Sequence, residues 1–486
     1  MSFARNIHLT QPFVLPRRRR AWFLNHNGYA VLRPADETGM IANGATIALA
    51  RRRAVMLELR WTDGLGNRPI TTLFVLSAIA YIGIYALEGP IRYLLYLQGR
   101  DNFILARDAL MLGPLALLAT ADAFRLRIHP AFPVFALLAA FHGLVLIGTV
   151  HSALGVAYGL KIVINLLFGF FIAGRLLNPG RKLFAFFIVV WIVTLIGVGL
   201  DKFVMTFPWV GIKTIVGGLN VDVSKDWEVT DELARRVAGF ARTSICVALL
   251  MPLISIVLMC RTKNAMLRGF LAASALGADF LTTQKGSIAA FFPIAAVLCL
   301  RQSMRLPLLR ACCIVFAIAM IALPIVALDV HFAHGTGIFS GESLGQRLTV
   351  TWPEAWHWIG HRQFLLFGVG LGGIGGPQRL YAEADFNPAD NMFVFLYAYF
   401  GVFAVFYLLA LCLLVLRPVT GSKACAIPAL ASIAFLLGYG TVVSIIEDQL
   451  ATLFLGAAVG VMIFETRPGA RATSKSRSAD YVEARG

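Results

Sequence analysis

Residues 329–401 read DVHFAHGTGIFSGESLGQRLTVTWPEAWHWIGHRQFLLFGVGLGGIGGPQRLYAEADFNPADNMFVFLYAYFG, the longest polar interval between apolar stretches of the chain. Its first part, 329–346, is a polar loop carrying Gly335, Gly337, Gly341 and Gly345. The piece LTVTWPEAWHWIGHRQF (348–364) predicts a helix. Thr351 and Glu354 have capping-box spacing, Pro353 is tolerated in a first turn, and Trp352, Trp356 and Ile359 share a face. Tryptophans on one side, with Glu354, His357, His361 and Arg362 elsewhere, suit a membrane interface. A glycine-rich run, 365–379, follows, and then NPADN, where Asp390 and Asn391 precede the apolar run MFVFLYAYFGVF. Polar chemistry is thereby set at a membrane surface.

Working outward, the chain has 486 residues, of which 58% are hydrophobic and only 14% charged, the composition of a polytopic, all-α membrane protein. Apolar stretches lie at 70–87, 104–124, 132–150, 159–177, 183–200, 244–260, 264–281, 287–300, 311–328, 391–416, 424–446 and 450–465. Several approach the ~20 residues that a bilayer needs, so about twelve transmembrane helices are expected. The expected segments are a basic cytoplasmic region 1–69, helices over 70–328 with an outward loop at 201–243, and a large outward loop at 329–390 bearing the interfacial helix. Further helices over 391–465 and a basic cytoplasmic tail 466–486 complete the chain.

The distribution of basic residues follows the positive-inside rule. With the N-terminus inside, the cytoplasmic connections carry Arg125 and Arg127, Arg181 and Lys182, Arg261 and Lys263, Arg301, Arg305 and Arg310, then Arg417 and Lys423. The opposite side holds HSALGVAY, SIIEDQL and the two long loops. Both termini are therefore expected inside, and topology rather than nucleic-acid binding accounts for the net charge of +17. Arg17–Arg20 and Arg51–Arg53 read as topology determinants, while ATIALA and AVMLELRW have the alternation of a small sheet. All seven cysteines lie in or at the ends of apolar stretches, which gives no disulfide framework and no metal site. The first apolar run begins near Ile70, too far in for a cleaved signal peptide, so insertion through internal spans is expected. No internal repeat is visible, which weighs against a transporter built from duplicated halves.

Ionisable groups collect at the outward ends of the spans: Arg107, Asp108, Lys161, Arg235, Arg236, Arg242, Lys285, Arg347, Asp385, Asp390 and Glu447. Such groups are unfavourable in a bilayer and default to functional candidates. For Arg92 and Arg100, snorkelling at the interface is the simpler expectation. Several cations facing one outward cavity suit a lipid diphosphate, because arginine gives it planar, charge-assisted hydrogen bonds. A diphosphate leaving group needs charge neutralisation more than a proton, whereas an attacking sugar hydroxyl needs a base, which a nearby carboxylate can supply. Three patterns mislead. Gly370–Gly375 matches GxGxxG, but Pro377 follows at once, no βαβ unit surrounds it, and a flexible turn is the better reading. His357 and His361 have metal-ligand spacing without a third ligand, and the aromatic run FVFLYAYF reads as lipid-facing and packing surface.

The order of these parts resembles the O-antigen ligase and Wzy-type polysaccharide polymerase superfamily over roughly residues 70–465. The matching pieces are TTQKGS, Arg347, the Trp352 to Trp356 helix, FGVGLGG, and Asp390–Asn391 with Gly401 downstream. The resemblance implies a GT-C-like membrane glycosyltransferase without cofactor or metal. Its reaction is inverting transfer from an undecaprenyl-diphosphate-linked oligosaccharide at the periplasmic face of the bacterial inner membrane. Carried over by position, Lys285 stands where the family often has arginine, Arg347 approaches the diphosphate, and Asp390 stands where ligases carry a histidine that activates or positions the acceptor. Arg236 and Arg242 are further candidates for the diphosphate, and Asn391, Gly401, Trp352 and Trp356 are candidate supports. Aspartate at position 390, and Ala404 where ligases prefer Gly, Thr or Tyr, favour the polymerase branch, joining repeat units of an exopolysaccharide or O-antigen. Its partners would be a lipid-linked donor and acceptor, the bilayer, and a chain-length regulator with export machinery. A ligase delivering glycan to lipid A-core or another acceptor, and a flippase or transporter of lipid-linked glycan, are the alternatives. Glu354, Glu383 and Asp385 are alternative bases.

Overall fold

A computed structural model of the protein describes residues 23–24, 30–31, 68–126, 128–225, 235–326, 341–361 and 365–465. The chain divides into two compact units, Met1–Leu59 and Arg60–Gly486. In the first, Phe23–Leu24 (β1) pairs antiparallel with Ala30–Val31 (β2). The arginine runs at 17–20 and 51–53, the expected sheet pieces ATIALA and AVMLELRW, residues 329–340 and the tail 466–486 lie outside the described residues.

The second unit is helical. Its helices are Arg68–Ala86 (α1), Glu88–Leu97 (α2), Ala106–Phe124 (α3), Ala131–Val150 (α4), Ala153–Leu177 (α5) and Arg181–Phe203 (α6). After a hairpin, Lys213–Val216 (β3) with Leu219–Asp222 (β4), come Ser244–Arg261 (α7), Ala265–Leu281 (α8), Lys285–Cys299 (α9) and Gln302–Ala322 (α10). Glu342–Gln346 (α11), Trp352–His361 (α12), Met392–Phe400 (α13), Phe403–Leu416 (α14), Lys423–Tyr439 (α15) and Gln449–Glu465 (α16) complete it. Helices dominate because in hydrocarbon each backbone N–H and C=O must be satisfied within its own segment. Among the described residues, seven are long and apolar enough to cross a membrane, and α9, α14, α15 and α16 are shorter apolar helices. The protein is a multi-pass, all-α membrane protein.

The core lies along α7, α15 and α16. Of the apolar window in α7, 83% is buried, against 22% in α4, whose Leu137 and Leu144 face outward. Helices α5 and α16 meet backbone to backbone, since a Cβ on Gly169 would overlap the Leu453 carbonyl and one on Gly456 that of Leu166.

The stretch 391–416, expected as one continuous span, is broken into α13 and α14 at Gly401. There φ is +56° and ψ −137°, a conformation essentially reserved for glycine. The break seats the glycine-rich loop, whose Val369 N–H donates to the Ala398 carbonyl and whose Leu366 carbonyl accepts from Val402. Residues 368–375 are buried, so the expected flexible turn is a packed wedge that also bonds to His142 on α4.

The basic connections converge. Arg261, Lys263, Arg268, Arg301, Arg305 and Lys423 line one cleft, and Arg310 donates to the Val415 carbonyl at 3.0 Å. Helix α7 ends in this cleft but begins beside Gln284, and α15 starts there but finishes at Tyr439, bonded to Gln284. Eighteen residues of α7 rise about 27 Å, so the basic cleft and the turn at Gln284 sit at opposite ends of the bundle.

Candidate functional site

The NPADN turn is pinned on both sides by buried amides. Asn387 donates to the Thr351 carbonyl, accepts from Ala389 N–H at 2.7 Å, and through its own N–H donates to Gln378. Asn391 is fully buried and caps α13, accepting from Phe393 and Val394 N–H while donating to the carbonyls of Met320 and Thr441. Between them Ala389 and Asp390 are forced to φ values of +62° and +42°. Non-glycine residues adopt this region rarely, and only where surrounding bonds over-determine it. The strain aims Asp390 at Arg347.

Arg347 opens a π-helical turn, Arg347–Thr351, between α11 and α12, a geometry common at functional sites. Its Nε donates to Asp390 Oδ2 at 3.1 Å and its Nη1 to the Ser343 carbonyl. Both side chains keep some exposure, 20% for Arg347 and 29% for Asp390. Trp352 is 1% exposed and donates to the Asp390 carbonyl at 3.4 Å. Trp356 donates to the Pro324 carbonyl and packs on Phe393 and Tyr397, and Trp358 donates to the Gly373 carbonyl. The indoles of this helix serve as structural props because each finds a main-chain carbonyl, while Glu354 and His357 are exposed. The capping box fails, since the chain enters α12 already coiled and Thr351 is no N-cap. The His361 side chain lies outside the described residues.

Two further cations join Asp390 and Arg347. Arg236 has a pKa lowered by burial and then by Arg347, with Tyr439 and Asp390 opposing. Lys285, first residue of α9, lies within electrostatic reach of Arg236. It is presented by the TTQKGS turn, where Thr283 has φ +57°, Gln284 donates to Ser244 and Tyr439 donates to Gln284. The Arg347–Asp390 pair is thus linked electrostatically to Arg236, and through Arg236 to Lys285, and these four groups are called the cluster below. Gly401 lies away from it and supports the loop, and Arg242 lines a neighbouring cavity.

That cavity, of about 400 Å³, is lined by Arg92, Arg107, Lys161, Lys225, Arg242 and Arg379 and by the carboxylates Glu88, Asp222, Glu447 and Asp448. Arg92 is 7% exposed, which corrects the snorkelling expectation, whereas Arg100 is exposed. The cause is Glu88, whose carboxylate accepts from Arg92 Nε at 2.7 Å and from Arg107 Nη1 at 2.6 Å. Burial would raise Glu88, but Arg107 and Arg92 outweigh it and bring its pKa to about 2. Lys161 pairs with Asp108 at 3.0 Å. Glu447 accepts from Gly376 N–H at 2.6 Å, and burial pushes its carboxyl up to about 7 against that bond and Arg379. Asp390 acts on both Glu447 and Lys225, so cavity and cluster adjoin.

The Glu88–Arg92 pair has i,i+4 spacing that could have signalled it; Lys225, Arg379 and Asn165 carried no sequence signal. Among the described residues no group of three His, Cys, Asp or Glu is placed to hold a metal ion. The arrangement presents cations to a polyanion beside a half-exposed carboxylate. Comparison with family models, with curated proteins and with solved structures finds no match for this chain.

Proposed function

We propose that the protein polymerises undecaprenyl-diphosphate-linked oligosaccharide repeat units into an exopolysaccharide or O-antigen. In this reading it has twelve transmembrane helices in a GT-C-like arrangement. It sits in a bacterial inner membrane with both termini cytoplasmic and the Asp390 cluster on the periplasmic side. The observation that carries the reading is the 3.1 Å pair of Arg347 and Asp390, held by a strained turn next to Arg236 and Lys285.

The acceptor hydroxyl oxygen bonds to the anomeric carbon of the donor as the bond from that carbon to the diphosphate oxygen breaks. The hydroxyl proton passes to Asp390, whose Oδ2 is engaged by Arg347 while the side chain stays accessible. The departing undecaprenyl diphosphate takes the electron pair of the broken bond. Arg347, Arg236 and Lys285 neutralise the charge developing there, the two arginines with planar forks and the lysine as a point charge. Attack opposite the leaving group inverts the anomeric centre.

The test compares glycan size and carrier attachment in a strain lacking the chain with one carrying Asp390→Asn. Single repeat units on the carrier lipid are expected in both. Long polymer retained on the carrier in both would move the assignment to a ligase, and units trapped on the cytoplasmic face to a flippase.

A further inference from the structure

The cavity beside the cluster has unmet hydrogen-bonding capacity that is mostly donor, the Tyr399 hydroxyl alone being able to accept as well. Arg92 Nη1, Arg107 Nε, Asn165 Nδ2 and Arg242 Nε are buried donor atoms without a hydrogen-bond partner, and all four residues line it. Three of these side chains are more than nine-tenths buried: Arg92 at 7% exposed, Arg107 at 9% and Asn165 at 2%. Arg107 Nε comes no closer than 3.9 Å to a carboxylate, that of Asp108. Three of the four lining carboxylates are engaged. Glu88 spends both oxygens on Arg92 and Arg107, Asp448 accepts from Tyr85 and from Leu450 and Ala451 N–H, and Glu447 Oε1 accepts from Gly376. Buried donors left unmade are unfavourable, and such groups in native proteins normally have a partner.

We infer that this cavity is a subsite for a carboxylate-bearing sugar of the glycan, so that the repeat unit handled here is acidic. The inference rests on the glycosyl-transfer reading above. A single carboxylate fits better than the carrier diphosphate for two reasons. Six cationic side chains face the four lining carboxylates and Asp108, which pairs with Lys161, leaving an excess of one that a monoanion matches and a polyanion exceeds. The diphosphate already has Lys285, Arg236 and Arg347, none of which lines this cavity. The remaining walls suit a sugar ring, with Asn220 and Tyr158 for hydroxyls and Phe386 as an apolar face. The volume of about 400 Å³ lies in the range of small-ligand sites.

The experiment is calorimetric titration of the full chain in lipid nanodiscs with trigalacturonate, maltotriose and inorganic diphosphate as probes. Trigalacturonate should bind at least about tenfold more tightly than neutral maltotriose, the difference one charge-assisted hydrogen bond supplies. Arg92→Gln also unpairs Glu88, so the deciding variant is Asn165→Leu, which exchanges a buried amide for an apolar side chain of similar size within a helix. It should weaken trigalacturonate several-fold and leave inorganic diphosphate unchanged. Equal binding of the acidic and neutral sugars, or no binding of either, overturns the inference. Diphosphate displacing trigalacturonate, with both weakened by Asn165→Leu, also overturns it and gives the cavity to the carrier. Binding requires no turnover, so the two readings fail separately. Short glycans in the Asp390→Asn strain without preference for trigalacturonate would fell the acidic-sugar subsite alone; normal glycans with the preference intact would fell the transfer reading alone.

Discussion

Asp390 adopts φ +42° one residue after Ala389 at +62°, and neither is glycine. A conformation of this kind costs on the order of 1–3 kcal/mol per residue and persists only under constraint, here the amides of Asn387 and Asn391. The constraint sets where the carboxylate points, so the charge can be removed without moving the turn. Asp390→Asn should therefore reduce polymer formation by about 10²–10⁴-fold, the range for a general base, with its thermal midpoint little changed. Arg347→Lys should retain part of the activity and Arg347→Ala almost none, since lysine keeps the charge and loses the fork. Both are read from the length distribution of carrier-linked glycan made by purified protein. An Asp390→Asn protein that makes normal chains would remove Asp390 from the chemistry.

A second residue-level expectation concerns pH. The pKa of Glu447 in the folded protein is about 7, above its ordinary 4.5, because of burial. The folded state thus holds this proton more tightly than the unfolded state does. The stability Glu447 contributes is complete below about pH 4.5 and is lost as pH rises through about 7. Glu447→Gln, which stays neutral, should flatten this loss. Thermal midpoints in detergent between about pH 5 and 8 check it; parallel curves for the two proteins would show that Glu447 does not titrate in this window.

Among the elements, the helices were legible and their interruptions were not. Long continuous apolar runs announce helices because only a helix satisfies every backbone group within such a segment, whereas a barrel strand would be shorter. The break at Gly401 depends on a loop about thirty residues earlier in sequence threading against it, and no local pattern encodes that contact. The tryptophan helix shows the same limit. Its periodicity was readable, but whether its indoles face lipid or main-chain carbonyls depends on Pro324, Gly373 and Asp390 arriving from elsewhere. Residues of the cluster could be picked out singly as ionisable groups in apolar surroundings; the link from the Glu88–Arg92 pair to Arg107 could not, because their helices meet only in the fold. Gly401→Ala tests the break. A Cβ there would overlap the Leu366 carbonyl and Gly368 N, and with the Gly-only conformation the loss should reach about 3 kcal/mol. Gly199→Ala in α6, where a Cβ meets nothing within 4 Å, should instead be neutral or stabilise by up to about 1 kcal/mol. Thermal unfolding of the two variants separates a structural glycine from a permissive one.

For the whole molecule, the bundle has two chemically distinct ends. One gathers Arg261, Lys263, Arg301, Arg305 and Lys423 with no carboxylate among the lining residues, and the other gathers the mixed charges of the cluster and cavity. In the proposed topology, which follows the positive-inside rule, the first end faces the cytoplasm. It follows that Cys299, exposed and adjacent to Leu300 of the basic cleft, should be inaccessible to a membrane-impermeant maleimide in intact cells and labelled in inverted vesicles. In a background lacking the seven native cysteines, Ile215→Cys should label from outside, because Ile215 is 66% exposed on the β3–β4 hairpin, whose Val216 and Leu219 line the cavity. The reverse pattern would place the Asp390 cluster on the cytoplasmic side. A periplasmic polymerase draws on lipid-linked units already translocated, so that outcome would rule the proposed reaction out whatever the side chains of the site can do.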